Sequence, residues 1–107
     1  MKTKVDLLLI NGTFTPVEAK EILMNIFASK IQFHELKNLR VLLTTNAEDK
    51  TSTLRVQELK KTIEELNLVT QEANENGLEL SIKSQIEITF LKSKTAKPIE
   101  ANHPNFK

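Results

Sequence analysis

The chain has 107 residues, 15 Lys and Arg against 14 Asp and Glu, 27% charged and 39% hydrophobic residues, and no cysteine. That is the size of one domain, with a charge balance too even to leave an electrostatic footprint for DNA, RNA or an anionic membrane. Without cysteine there is no disulfide, thiolate metal site or cysteine nucleophile.

The N-terminus, MKTKVDLLLINGTF, has a basic start and an apolar run like a secretory signal. The run Leu7 to Ile10 is four residues, Asp6 precedes it and no small-residue cleavage site follows. It is therefore read as a strand and the protein as cytoplasmic. No apolar run approaches the roughly 18 residues of a membrane span.

Val5 to Ile10 is β-like and apolar on both faces of the pleat, as in a strand covered on both sides. Gly12 permits a turn. Thr15-Pro16-Val17-Glu18 then spells a helix start, with Thr15 as cap, Pro16 at the first helical position and Glu18 closing a capping box. Ala19, Ile22, Leu23, Ile26 and Phe27 recur at three and four, predicting a helix to about Ser29. In the next stretch Phe33, Leu36, Leu39 and Leu43 suit a short helix, whereas Val41 to Thr45 alone also fits a strand; helix is favoured.

Asn46 to Ser52 is polar turn chemistry. Ser52 or Thr53 is placed to cap a long helix to about Asn76, with Val56, Leu59, Ile63, Leu66 and Ala73 on one seam and Thr70 filling the missing step. Gly77 ends it as a left-handed cap, Leu78 touching Ala73 in a Schellman arrangement. From Leu78 to Leu91 the sequence LELSIKSQIEITFL alternates with period two, a half-buried strand whose one polar residue on the apolar face, Ser84, marks a place for a bulge. The expected fold is α+β, two long antiparallel strands packed on a helical hairpin in the order β-α-(α)-α-β. A single domain is expected over 1–91 and a disordered tail over 92–107.

The runs INGTFTPVEAKEIL and KIQFHELKN, followed by QELKKTIEEL and LELSIKSQIEI, resemble small bacterial proteins of the Bacteroidetes type whose function is unknown. The resemblance covers Val5 to Phe90. It implies one compact domain and carries no catalytic or binding residues.

No motif carries chemistry. Aligning Gly12 and Glu18 with a calcium loop puts Leu7 and Leu9 at liganding positions, and leucine cannot ligate. His34-Glu35 lacks further ligands at metal spacing and any nucleophile motif, so the bland reading is a partly exposed histidine bonded to backbone. Two glycines are too few for a phosphate-cradling loop. No catalytic, cofactor or metal residue is assigned, and the chain is read as non-enzymatic. What remains is an open strand with an uncovered apolar side. The expected interaction surface is Leu78, Leu80, Ile82, Ile86, Ile88 and Phe90 with Leu8 and Ile10, serving a protein-interaction or scaffolding module that forms a homodimer through its sheet and takes an unidentified protein partner. The alternative is a nucleic-acid accessory protein using the long helix and the tail lysines Lys92, Lys94 and Lys97, which salt would weaken.

Overall fold

The computed structural model describes residues 3–93. Its elements are β1 (Lys4–Phe14), α1 (Pro16–Thr45), α2 (Lys50–Glu75) and β2 (Leu80–Thr89). This is the expected α+β class, with β1 and β2 paired antiparallel in a two-stranded sheet. Of the expected tail, residues 94–107 lie outside the described residues. The chain divides into two compact units, one holding the strand segments up to Ile10 and from Ser84, the other Asn11–Lys83.

Within Asn11–Lys83 the helix start is the one expected. Glu18 N–H donates to Thr15 Oγ1 at 3.2 Å, and Thr15 N–H donates to Glu18 Oε1 at 2.9 Å. The helix does not stop near Ser29, however. Residues 17–45 contain neither Gly nor Pro to interrupt the backbone ladder, and α1 runs 30 residues, about 45 Å at 1.5 Å per residue. The expected short second helix is its continuation.

Continuity changes which side chains meet α2. Carrying the helical phase through from Ala19 brings Leu23, Phe27, Ile31, His34, Asn38 and Val41 to buried or half-buried positions, and leaves Leu36, Leu39 and Leu43 exposed. The three leucines expected on the apolar side of a separate helix therefore face water. On α2 the expected seam, Val56, Leu59, Ile63, Leu66, Thr70 and Ala73, is buried or half-buried, and Ser52 extends it by one step of four. The Thr70 hydroxyl satisfies itself by donating to Leu66 O at 2.9 Å.

The helix connection is short, and polar groups fix it. Asn46 closes α1 in the left-handed region at φ 58°, a conformation asparagine tolerates better than most residues. The cap of α2 is Asp49, not Ser52 or Thr53. Its carboxylate accepts from Thr51 N–H at 3.1 Å and from Ser52 N–H at 3.3 Å. The helix thus begins a turn earlier than expected, which draws Ser52 into the seam, almost fully buried, with its hydroxyl donating to Asp49 Oδ2 at 3.2 Å. Asn38 ties the two helices together: its Oδ1 accepts from Asp49 N–H at 2.6 Å and its Nδ2 donates to Thr53 Oγ1 at 3.1 Å.

The hydrogen bond from Ser52 N–H, with help from the Ser52 hydroxyl and the Lys37 charge, holds the Asp49 carboxyl below its ordinary value. A carboxyl with a depressed folded-state pKa stabilises the fold above its unfolded value of 3.8 and loses that contribution as pH falls through the folded value. Asp49→Asn should therefore flatten the acid limb of stability below about pH 4 while keeping the cap, and Asp49→Ala should lower stability at neutral pH as well. Urea denaturation at pH 3 and pH 6 separates the two; equal acid slopes in wild type and Asp49→Asn would remove Asp49 from the acid response.

The far end of α2 is a Schellman motif, as expected. Gly77 has φ 63°, its N–H donates to Asn74 O at 3.3 Å, and Leu78 N–H donates to Ala73 O at 2.8 Å. A Cβ at Gly77 would meet nothing within 4 Å. The cost of Gly77→Ala is then backbone strain alone, about 1 kcal/mol, read as a shift in the denaturation midpoint. A steric origin would make larger side chains there progressively worse, and the open space predicts that they are not.

β1, Lys4–Phe14, is longer than the expected Val5 to Ile10, and β2, Leu80–Thr89, is shorter than the expected Leu78 to Leu91. Asn11, Gly12 and Thr13 continue β1 instead of turning, and Gly12 lies under the Phe14 ring, where a Cβ would come within 3.2 Å of Cζ. Close approach, not a turn, is what glycine provides here. β2 passes through Ser84 as a single strand.

Candidate functional site

The site is built from the strand segments Lys4–Ile10 and Ser84–Phe90. Phe90 N–H donates to Thr3 O at 2.8 Å, and that register, continued along an antiparallel pair without a bulge, sets Val5, Leu7 and Leu9 opposite Ile88, Ile86 and Ser84. Alternation then assigns Val5, Leu7, Leu9, Ser84, Ile86, Ile88 and Phe90 to one face, and Lys4, Asp6, Leu8, Ile10, Gln85, Glu87 and Thr89 to the other. The ion pair of Lys4 Nζ with Glu87 Oε2 at 3.2 Å is a diagonal contact on that second face. Being exposed, it contributes little to stability.

The first face is apolar and open. Leu7 is 48% exposed, Leu9 47%, Ile88 40% and Phe90 56%. A two-stranded ribbon with such a surface is marginal in water. Its arrangement has no chemistry to offer and one physical property, a contiguous surface that water solvates poorly.

Of the residues expected at this surface, Ile86, Ile88 and Phe90 are together on it. Leu80 and Ile82 share their alternation but belong to the other compact unit and are half-buried. Leu78 precedes β2 and serves the helix cap. Leu8 and Ile10 are on the opposite face, Leu8 exposed and Ile10 buried. The partners that sequence reasoning missed are Val5, Leu7 and Leu9. Because Leu7 to Ile10 is an unbroken apolar run, its own pattern cannot say which parity faces which way; only the register against β2 decides.

His34 is the other residue singled out by sequence. It lies with Lys30 on α1 along a cleft of about 480 Å³, faced from α2 by Arg55, Glu58, Leu59 and Thr62. Its ring meets Phe33 edge to face at 5.2 Å, and its Nδ1 is buried without a hydrogen-bond partner, so the expected backbone bond is absent at that atom. Arg55 Nη1 pairs with Glu58 Oε2 at 3.1 Å. Among the described residues no group of three or more His, Cys, Asp or Glu side chains is placed to hold a metal ion, and no helix is long and apolar enough to cross a membrane.

Comparison with protein-family models, curated proteins and solved structures finds no match to this chain.

Proposed function

We propose that this chain is a non-enzymatic interaction module that acts as a homodimer, its ribbon face Val5, Leu7, Leu9, Ile86, Ile88 and Phe90 set against the same face of a second copy. The observation that carries the reading is that one contiguous face gathers six apolar side chains and leaves most of them half exposed. Such a face is self-complementary about a twofold axis, because every residue it needs is already on it. Two ribbons stacked face to face at about 10 Å make the two-layer arrangement that a lone ribbon lacks. Phe90, the largest and most exposed of the ribbon-face residues, is the anchor.

The contact is apolar, so it is insensitive to salt, in contrast to attachment to nucleic acid. Sedimentation velocity of the full chain at micromolar concentration should give twice the 12.2 kDa chain mass at both low and high salt. A monomer persisting to several hundred micromolar would end the proposal.

A further inference from the structure

We propose that the cleft between α1 and α2 around His34 binds a phosphate group. The cleft volume of about 480 Å³ is that of a small-ligand site. Its charged groups are Lys30, Arg55 and Glu58. Two permanent cations face one carboxylate, and that carboxylate is engaged by Arg55 at 3.1 Å. A cation is not accommodated by this set; an anion is.

His34 supplies the third donor. Its Nδ1 is buried with no partner, and a protein tolerates an unpaired buried acceptor better than an unpaired buried N–H. A neutral ring with Nδ1 as that acceptor has its proton on Nε2 and donates from it. Lys30 Nζ, the Arg55 guanidinium and His34 Nε2–H then offer donors from two helices around one cleft. Thr62 is not a fourth donor, since its hydroxyl already donates to Glu58 O at 3.0 Å. Three donors lining one cleft, two of them charged, suit a group with three free oxygens and close to two negative charges better than a planar carboxylate.

Glu58 gives the proposal a test with an uncommon sign. The carboxylate competes with the ligand for Arg55, so Glu58→Gln should tighten binding several-fold, whereas Arg55→Gln should weaken it at least about tenfold. Both side chains are more than half exposed, so neither variant threatens folding. The probe is inorganic phosphate, titrated into the full chain while the NMR signals of the His34 ring and the Arg55 guanidinium are followed, with phosphoserine in a parallel titration. Saturable shifts with that order of affinities support the site; phosphoserine binding more tightly than phosphate identifies a monoester as the ligand, and equal binding identifies the free ion. Shifts that grow linearly without saturation, an unchanged affinity in Arg55→Gln, or weaker binding in Glu58→Gln would each overturn it.

Discussion

Leu7→Lys should convert the proposed dimer into a monomer, and Leu8→Lys, one residue along the same strand, should leave it intact. The two leucines are similarly exposed, 48% and 59%, so composition and accessibility do not distinguish them. The pleat does. In the register set by Phe90 and Thr3, Leu7 shares a face with Ile86 and Ile88, while Leu8 shares one with Lys4, Asp6 and Glu87. A lysine at position 7 would bring one charge from each copy into an apolar contact with no partner to receive it, at a cost of several kcal/mol. Since 1.4 kcal/mol is a factor of ten, the dissociation constant should rise by at least about a hundredfold. The matching lysine at position 8 joins a face that is already charged. Sedimentation of the two variants side by side, with circular dichroism to show unchanged helix content, reads the difference. Equal behaviour would mean that the register does not define the interface.

Leu66→Ala should be the most damaging single truncation in the helix pair. Leu66 is 8% exposed, in the middle of the α2 seam, flanked there by Ile63 and Thr70. Most of its neighbours along the seam are small or only half-buried, so few other side chains carry as much buried apolar surface. Losing its isobutyl group removes the transfer free energy and leaves a cavity that two long helices cannot easily close, a loss of about 2–4 kcal/mol. In a domain of this size that is a fall in Tm of roughly 10 °C or more. Leu68→Ala, two residues on but 68% exposed, should change stability by less than about 0.5 kcal/mol. Urea denaturation of both variants checks the contrast, and similar midpoints would show that the seam is not where the helices hold together.

The features that were legible in the sequence are local. The capping box at Thr15 and Glu18 and the left-handed end at Gly77 each depend on residues within six positions, and both are present as read. The α2 seam was legible because its apolar residues keep one phase from Val56 to Ala73, with Thr70 the one polar step. Along α1 the phase was lost at its polar members. His34 and Asn38 occupy the buried side where leucine or isoleucine would be expected, and four leucines nearby are exposed, so the hydrophobic pattern pointed the wrong way round. Asn38 has a reason to be there that no periodicity reveals: its amide bonds to Asp49 and Thr53, 11 and 15 residues away. The candidate site was half visible for a related reason. β2 alternates and declares its faces, whereas β1 is apolar throughout the segment that matters and takes its orientation from its partner.

The pairing of β1 with β2 has a thermodynamic consequence. The two strands are a hairpin whose turn has been replaced by the 65 residues between Phe14 and Leu80. Closing a flexible loop of that length costs about 3 kcal/mol more in chain entropy than closing a two-residue turn, a penalty a short ribbon cannot meet alone. The loop is not flexible, because α1 and α2 pack against each other and return the chain to where it left. The helix pair is in effect a very large turn between the two strands. Self-association through Leu7 and Ile88 would therefore be linked to bonds made far along the chain, such as those of Asn38 at the helix connection, and a lesion in the helices would register as a weaker dimer without touching its surface.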